Sequence, residues 1–254
     1  MDTGDDLSVE GRLLASQALE PKQAAKVISA ALPAMTRPPS KQELLRLAEF
    51  PEMTGQTLAD IVRNKANRTT VVNRLLAVRD RVEANRIRPV LKAMIGPLME
   101  GDKAALRQGI NLIGAFQLQS MKDRLVKLLK QSPELRTDAL NALQRLNLDD
   151  PQPLIRAWRD STEERVRQTA LAILARMRQK EASQWIFNHW DRIATSHKQI
   201  VLAQLSRHQT GALAIVDAAV DGPLLIPACT MFIERLAGDR QIAAQYTPPK
   251  KKRL

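Results

Sequence analysis

The chain has 254 residues, of which 44% are hydrophobic and 26% charged, a balance typical of a folded protein rather than a disordered one. Aromatic residues make up only 3% and there are ten glycines. That scarcity argues against an all-β fold and against glycine-rich phosphate loops. The single cysteine, Cys229, excludes an internal disulfide and a cysteine-rich zinc module. The composition therefore predicts an all-α protein.

The formal net charge of +12 is concentrated in two places. Nine basic residues between Arg63 and Lys92 face only two acidic ones, a net of +7, and the tail Lys250–Arg253 adds +4. The N-terminus is acidic, and no apolar run approaches the ~20 residues that cross a bilayer. We expect a soluble chain without membrane contact, with the cytoplasm as the favoured compartment.

Residues 1–55 predict an irregular helical cap at the N-terminus. Ser40 and Glu43 have the spacing of a capping box, which predicts a helix from there through Phe50. Three prolines between Leu32 and Pro39 predict a kinked join just before it.

Residues 56–101 read as degenerate helical repeats with a basic surface. Arg74, Arg81 and Arg88 recur every seven residues, as do Arg79 and Arg86, which predicts a helix from about Val71 to Asn85 with basic stripes. Such stripes can follow a phosphate backbone. Charge runs are more often solvated helix faces, and the aromatic residues that stack on single-stranded bases are absent nearby. The candidate nucleic-acid-binding residues are Arg74, Arg79, Arg81, Arg86, Arg88 and Lys92.

Residues 102–246 repeat with a period of about 31. Two apolar columns recur at that step: Leu140, Leu171, Leu202 and Ile233, and Leu143, Leu174, Leu205 and Leu236. Each unit reads as a first helix with one apolar face and a shorter second helix. The predicted second helices are Lys122–Lys130, Pro153–Asp160, Ala182–Arg192 and Ala212–Ala219. Ser132–Pro133 and the capping-box spacing of Ser161 and Glu164 mark predicted starts of first helices.

The motif of these units resembles the short HEAT repeats of about thirty residues, the phycobilisome-lyase-like form. It stands as Glu134-Leu135-Arg136 followed by Ala139-Leu140 and Leu143, and again as Glu164-Arg165-Val166-Arg167 followed by Ala170-Leu171 and Leu174. The resemblance implies an α-solenoid with first helices on the convex side and second helices lining the concave side. It also implies that the ladder Arg107, Arg136, Arg167 and Lys198 braces the next repeat by pairing with acidic groups. Some family members are chromophore lyases, an enzymatic alternative that nothing beyond the repeat supports here.

Few residues suggest chemistry. Trp158, Trp185 and Trp190 all fall on second helices. We take Trp158 and Trp190 as candidate contacts for a protein partner and expect Trp185 in the core. His189, His197 and His208 are eight and eleven residues apart, so none forms a helix-borne metal pair. Cys229 has an apolar setting typical of a small buried residue.

The sequence therefore predicts a non-enzymatic scaffold without metal or cofactor that holds a protein partner on its concave surface. Nucleic-acid binding by the basic segment is the alternative. The tail, residues 247–254, resembles a nuclear import signal and suits equally the start of a linker. A further alternative that stays open is that the chain is one segment of a larger multidomain protein.

Overall fold

The computed structural model describes residues 9–35, 37 and 39–220. Every regular element in those residues is a helix, so the predicted all-α class is confirmed. The chain forms two compact units, residues 1–125 and 126–254. Of the boundaries predicted from sequence, residue 55 falls inside a helix of the first unit and residue 101 falls between two of its helices. The predicted repeat that contains Ile233 and Leu236 lies outside the described residues, as does the tail from residue 247.

The first unit consists of helices that pack against near neighbours in the chain. They are α1 (Val9–Ser16), α2 (Pro21–Ala31), α3 (Lys41–Glu49), α4 (Pro51–Arg63), α5 (Lys65–Ala77), α6 (Ala84–Met99) and α7 (Lys103–Ala115). Helix α6 lies against α3, α4 and α7, and α5 lies against α4 and α7. Contacts between α4 and α6 and between α5 and α7 are those of stacked helical hairpins.

The capping box predicted at Ser40 is present. The Ser40 hydroxyl accepts the backbone N–H of Glu43 at 3.2 Å, and the Glu43 carboxylate accepts the N–H of Ser40 at 2.6 Å. Arg37 donates to both carboxylate oxygens of Glu43, at 2.7 and 2.9 Å. Burial alone would raise the pKa of Glu43, but the hydrogen bonds from Arg37 and Ser40 hold it below its usual value. The helix ends at Glu49, one residue before the predicted Phe50, and a 3-10 turn, Leu32–Ala34, opens the proline-rich join.

The second unit contains the repeating hairpins. Helix α8 (Lys122–Gln131) crosses the boundary between the units, and α9 (Arg136–Arg145), α10 (Gln152–Asp160), α11 (Glu164–Leu174), α12 (Lys180–Asn188), α13 (Thr195–Leu205) and α14 (Gln209–Val220) follow. First helix α11 lies against first helices α9 and α13, and second helix α12 lies against second helix α14. This is solenoid-like stacking, as the period predicts. The predicted second helix Ala182–Arg192 is divided, because α12 ends at Asn188 and a 3-10 turn covers Trp190–Arg192.

The leucine columns of the repeat are buried. Every described member of the two columns, Leu140, Leu171 and Leu202 with Leu143, Leu174 and Leu205, is at most 2% exposed. Ala139, Ala170 and Val201 form a third column with the same burial. Full burial of a leucine side chain contributes roughly 1.5–3 kcal/mol. The 31-residue period is therefore a period of packing.

Gly109 lies on α7, at its contact with the end of α6. A Cβ atom on Gly109 would lie 2.9 Å from the Met99 sulfur and 3.2 Å from the Leu98 Cβ. A side chain at this position would collide with the end of α6, so glycine permits the close approach of α6 and α7.

Two predicted helix starts are wrong in detail. Ser161 and Glu164 do not form a capping box: the Ser161 hydroxyl accepts the N–H of Glu163 at 3.1 Å, and α11 begins only at Glu164. A hydroxyl that closes this tight two-residue turn does not reach the third residue. Pro133 begins a 3-10 turn, and α9 starts three residues later at Arg136.

The buried columns predict a contrast between two residues on α13. Leu202 is 2% exposed and Ile200 is 52% exposed. We expect Leu202→Ala to lower the free energy of unfolding by about 2–5 kcal/mol, through lost burial and a residual cavity. Ile200→Ala should change it by less than about 0.5 kcal/mol. Urea unfolding followed by tryptophan fluorescence measures both, since all three tryptophans lie in the second unit. Equal losses in the two variants would contradict the assignment.

Candidate interaction surfaces

The basic segment of the first unit does not form the predicted continuous helix. Helix α5 ends at Ala77, a 3-10 turn covers Arg79–Arg81, and α6 begins at Ala84. The turn redirects the chain so that Val78 and Val82, one on each side of it, are both buried. The predicted helix Val71–Asn85 is therefore wrong, and the seven-residue spacing of arginines does not produce one continuous stripe.

Arg74, a candidate for phosphate binding, contacts the protein itself. Its Nη1 donates to the backbone carbonyl of Leu32 and, at 3.2 Å, to that of Pro33. Burial lowers the pKa of the Arg74 guanidinium. The side chain ties α5 to the join between α2 and α3. Arg74 thus has a structural role that the charge pattern does not reveal.

The other five candidates lie at the surface. Arg79 pairs with the neighbouring Asp80 at 3.3 Å. The remaining four make no ion pair with any described residue: Arg81, Arg86, Arg88 and Lys92. Arg81 and Arg86 line a cleft of about 300 Å³ with Lys41, Asp80 and Glu83. Arg88 and Lys92 are one helical turn apart on the exposed face of α6. These four cations are what remains of the predicted phosphate-binding surface.

Arg74 and Arg88 provide a matched pair of substitutions. We expect Arg74→Gln to lower the free energy of unfolding by about 1.5–3 kcal/mol, because two carbonyls lose their charged donor. Arg88→Gln should change it by less than about 0.5 kcal/mol, since the side chain is exposed. Urea unfolding followed by circular dichroism at 222 nm compares the two. If Arg74→Gln is as stable as the parent protein, Arg74 has no structural role and belongs with the exposed basic residues.

An ion pair between the buried Arg68 and the exposed Asp102 joins α5 to α7. Asp102 caps α7 by accepting the N–H of Ala105 at 2.9 Å, and its carboxylate lies 3.1 Å from Arg68 and 3.2 Å from Lys65. The Ala105 N–H, followed by Arg68 and Lys65, lowers the pKa of Asp102 to about 2. Arg68 is buried, so this cation of the basic segment is unavailable to an outside ligand.

Asp102 should make stability depend on pH. Its folded-state pKa is about 2, below the ordinary 3.8 expected when unfolded. The carboxylate therefore stabilises the fold above that ordinary value, and the contribution is lost as the pH falls towards 2. We expect Asp102→Asn to be less stable than the parent at pH 6, with a difference that shrinks at pH 2.5. Urea midpoints of both proteins across this range measure it, and a constant difference would contradict the ion pairing.

The burial of the three tryptophans is the reverse of the predicted pattern. Trp158 and Trp190, the candidate partner contacts, are each 6% exposed, whereas Trp185 is half-buried. The ring centres of Trp158 and Trp185 lie 5.1 Å apart in an edge-on contact. Those of Trp185 and His189 lie 4.4 Å apart in a stacked contact. Both candidate rings therefore belong to the core of the second unit, and Trp185 is the tryptophan with accessible surface.

Arg136, Arg167 and Lys198 of the ladder contact the preceding repeat. Arg136 donates from Nε to the carbonyl of Leu129, at the end of α8, at 2.9 Å. Further along, the Arg167 guanidinium lies 4.7 Å from the Trp158 ring centre and the Lys198 ammonium lies 5.3 Å from that of Trp190. Cation–π contacts of this kind are attractive. The predicted bracing role fits these contacts, but its direction and partners differ. The contacts run to the preceding repeat through a carbonyl and two indole rings, and the acidic partner of Arg167, Glu164 at 4.0 Å, lies on its own helix.

The histidines also make structural contacts. His208 donates from Nε2 to the carbonyl of Ala175 at 3.0 Å and accepts the N–H of Gly211 on Nδ1 at 3.1 Å, which joins the end of α11 to the start of α14. His189 donates from Nδ1 to the carbonyl of Trp185. Among the described residues, no group of three or more His, Cys, Asp or Glu side chains is placed to hold a metal ion. Cys229 lies outside them.

A basic cleft in the second unit was not predicted from the sequence. It has a volume of about 200 Å³ and is lined by Val126, Leu129, Lys130, Arg136, Pro153, Arg156, Ala157 and Asp160. A sequence signal for it exists. Two basic residues, three apart, stand near the end of α8 and again near the end of α10: Lys127 and Lys130, then Arg156 and Arg159. Their density is lower than in the basic segment of the first unit, so total charge does not reveal them.

No protein-family model and no curated protein matches this chain. Across residues 9–35, 37 and 39–220, no helix combines the length and hydropathy of a membrane span. The likeness to HEAT repeats rests on the motif residues and on the stacking of α9, α11 and α13. What the chain does must therefore be argued from its own surfaces.

Proposed function

We propose that this chain is a non-catalytic, HEAT-like helical-repeat scaffold that binds a protein partner. The supporting observation is that the first and second helices of the repeats have different surroundings. The apolar columns of α9, α11 and α13 are buried in contacts between neighbouring helices. The second helices α8 and α10 present charged side chains that differ from repeat to repeat. Stacked repeats of this type create extended surfaces for binding.

Capture of a partner by the full-length chain tests this proposal. Immobilised protein is incubated with nuclease-treated extract of the source cells, and retained proteins are quantified by mass spectrometry. We expect at least one protein to be retained in near-stoichiometric amount. That protein, once purified, should bind the chain with a measurable dissociation constant in calorimetry.

Two triple variants serve as matched controls for the capture. One variant removes three positive charges from the second unit: Lys130→Gln with Arg156→Gln and Arg159→Gln. The other removes three from the first unit: Arg86→Gln with Arg88→Gln and Lys92→Gln. All six residues are exposed, so both variants should fold. A scaffold with a defined surface loses the partner in one variant only. Equal loss in both, or retention that occurs with untreated extract but not with nuclease-treated extract, would contradict a specific protein partner.

The alternative function is binding of double-stranded nucleic acid by the first unit. It is favoured by the four exposed cations that lack an acidic partner among the described residues, Arg81, Arg86, Arg88 and Lys92. Four phosphate contacts predict a slope of about −3.6 when the logarithm of the binding constant is plotted against that of salt concentration. Fluorescence anisotropy with a 20-base-pair duplex measures this slope. Absence of binding at low salt would eliminate the alternative.

A further inference from the structure

The basic cleft of the second unit combines charge with an apolar floor. Lys130, at the end of α8, and Arg156, on α10, are both exposed, and Arg136 lies between them at the start of α9. The floor is formed by Leu129 and Ala157, which are buried, with Val126 and Pro153 half-buried beside them. A ligand in this cleft would meet three cations and an apolar surface at the same time.

One carboxylate lies in the cleft and is already satisfied. Asp160 accepts a hydrogen bond from Arg159 Nε at 2.8 Å. That bond, with the positive charges of Arg159, Arg136 and Arg156, holds the pKa of Asp160 below its usual value. Lys130 and Arg156 make no ion pair with a described residue, and the one hydrogen bond of Arg136 uses Nε. The cleft therefore has a surplus of positive charge that an incoming anion can neutralise.

We propose that this cleft binds an acidic segment of a protein partner, with carboxylates at Lys130, Arg136 and Arg156 and an adjacent apolar side chain on the floor. The proposal rests on the proposed function, since it presupposes that the partner is a protein. The cleft is smaller than the roughly 300–1,000 Å³ of small-molecule pockets. Its size suits a side chain of a peptide that extends beyond it.

The same features disfavour a polynucleotide as the occupant. A phosphate backbone makes no use of an apolar floor, whereas a peptide that alternates carboxylates with leucine uses both the floor and the cations. Asp160 also repels a phosphodiester track that runs through the cleft, while separate carboxylates can be placed around it. Charge complementarity thus selects an acidic and partly apolar peptide.

Fluorescence anisotropy with defined peptides tests the proposal on the full chain. The probe is a fluorescein-labelled dodecapeptide of glutamate-glutamate-leucine repeats. Two matched peptides replace glutamate with glutamine or leucine with serine. We expect the first peptide to bind most tightly and each replacement to weaken binding by roughly tenfold or more. Equal affinity for the serine peptide would show that the floor is not used, and equal affinity for the glutamine peptide that the cations are not used; either overturns the proposal.

Variants place the binding in the cleft. Lys130→Gln with Arg156→Gln should weaken binding of the acidic peptide by roughly tenfold, the order expected when two exposed ion pairs are lost. Arg88→Gln with Lys92→Gln, an equal charge change in the first unit, should leave it unchanged. Circular dichroism melting confirms that both variants are folded. An equal effect of the two variants, or no binding of the peptide by the parent protein, contradicts the proposal.

A reversed pair provides an independent check. Lys130→Glu with Arg156→Glu should lose the acidic peptide and gain a peptide in which lysine replaces glutamate. Tighter binding of the 20-base-pair duplex than of the peptide, lost in the cleft variants, would instead assign the cleft to nucleic acid. If the peptide fails but a captured protein persists, the cleft is excluded and the scaffold function stands. If neither binds, both proposals fall.

Discussion

The burial of the same apolar columns at every 31-residue step is the constraint on which the second unit depends. A single helical hairpin exposes one face of its first helix and cannot bury it alone. Helix α11 lies against both α9 and α13, and its Leu171 and Leu174 are buried. Because those positions are committed to packing, only the outer faces and the helix ends remain for contact with other molecules.

The positive charge of the chain serves three purposes that depend on location. Arg68 and Arg74 are partly or wholly buried and hold α5 to its neighbours, through Asp102 and through two backbone carbonyls. Arg136, Arg167 and Lys198 join each first helix to the repeat before it. Exposed cations that have no acidic partner among the described residues occur in both units, and one group of them lines a cleft with an apolar floor. Local surroundings, rather than total charge, distinguish a brace from a binding surface.

The first helices could be predicted from the sequence because their burial repeats with a period that is visible in one dimension. Leu140, Leu171 and Leu202 lie in equivalent places, so the pattern and the packing coincide. The positions of the tryptophans could not be predicted in this way. Trp158 and Trp190 are covered by Arg167 and Lys198 of the following first helix, a contact set by tertiary structure.

The predicted continuous helix of the basic segment is wrong for a related physical reason. A seven-residue spacing of arginines predicts a stripe only if the helix is continuous, and the 3-10 turn at Arg79–Arg81 interrupts it. Arg74 then reaches carbonyls more than forty residues earlier in the chain, a contact that no local pattern contains. The cleft at Lys130 and Arg156 could not be predicted, because the sequence does not show that residues of α8 and α10 line the same cleft. Candidate sites built across repeats are therefore hard to predict, whereas the columns within them are not.

A double-mutant cycle along one column tests the stacking most directly. Leu→Ala substitutions are made at Leu140, Leu171 and Leu202 singly and in pairs, and free energies of unfolding are measured in urea. The stacking predicts coupling of about 0.5–3 kcal/mol for Leu140 with Leu171 and for Leu171 with Leu202. For Leu140 with Leu202, two repeats apart, it predicts additivity within about 0.5 kcal/mol. Additive effects in all three pairs would mean that these leucines are not neighbours, and would contradict the repeat architecture.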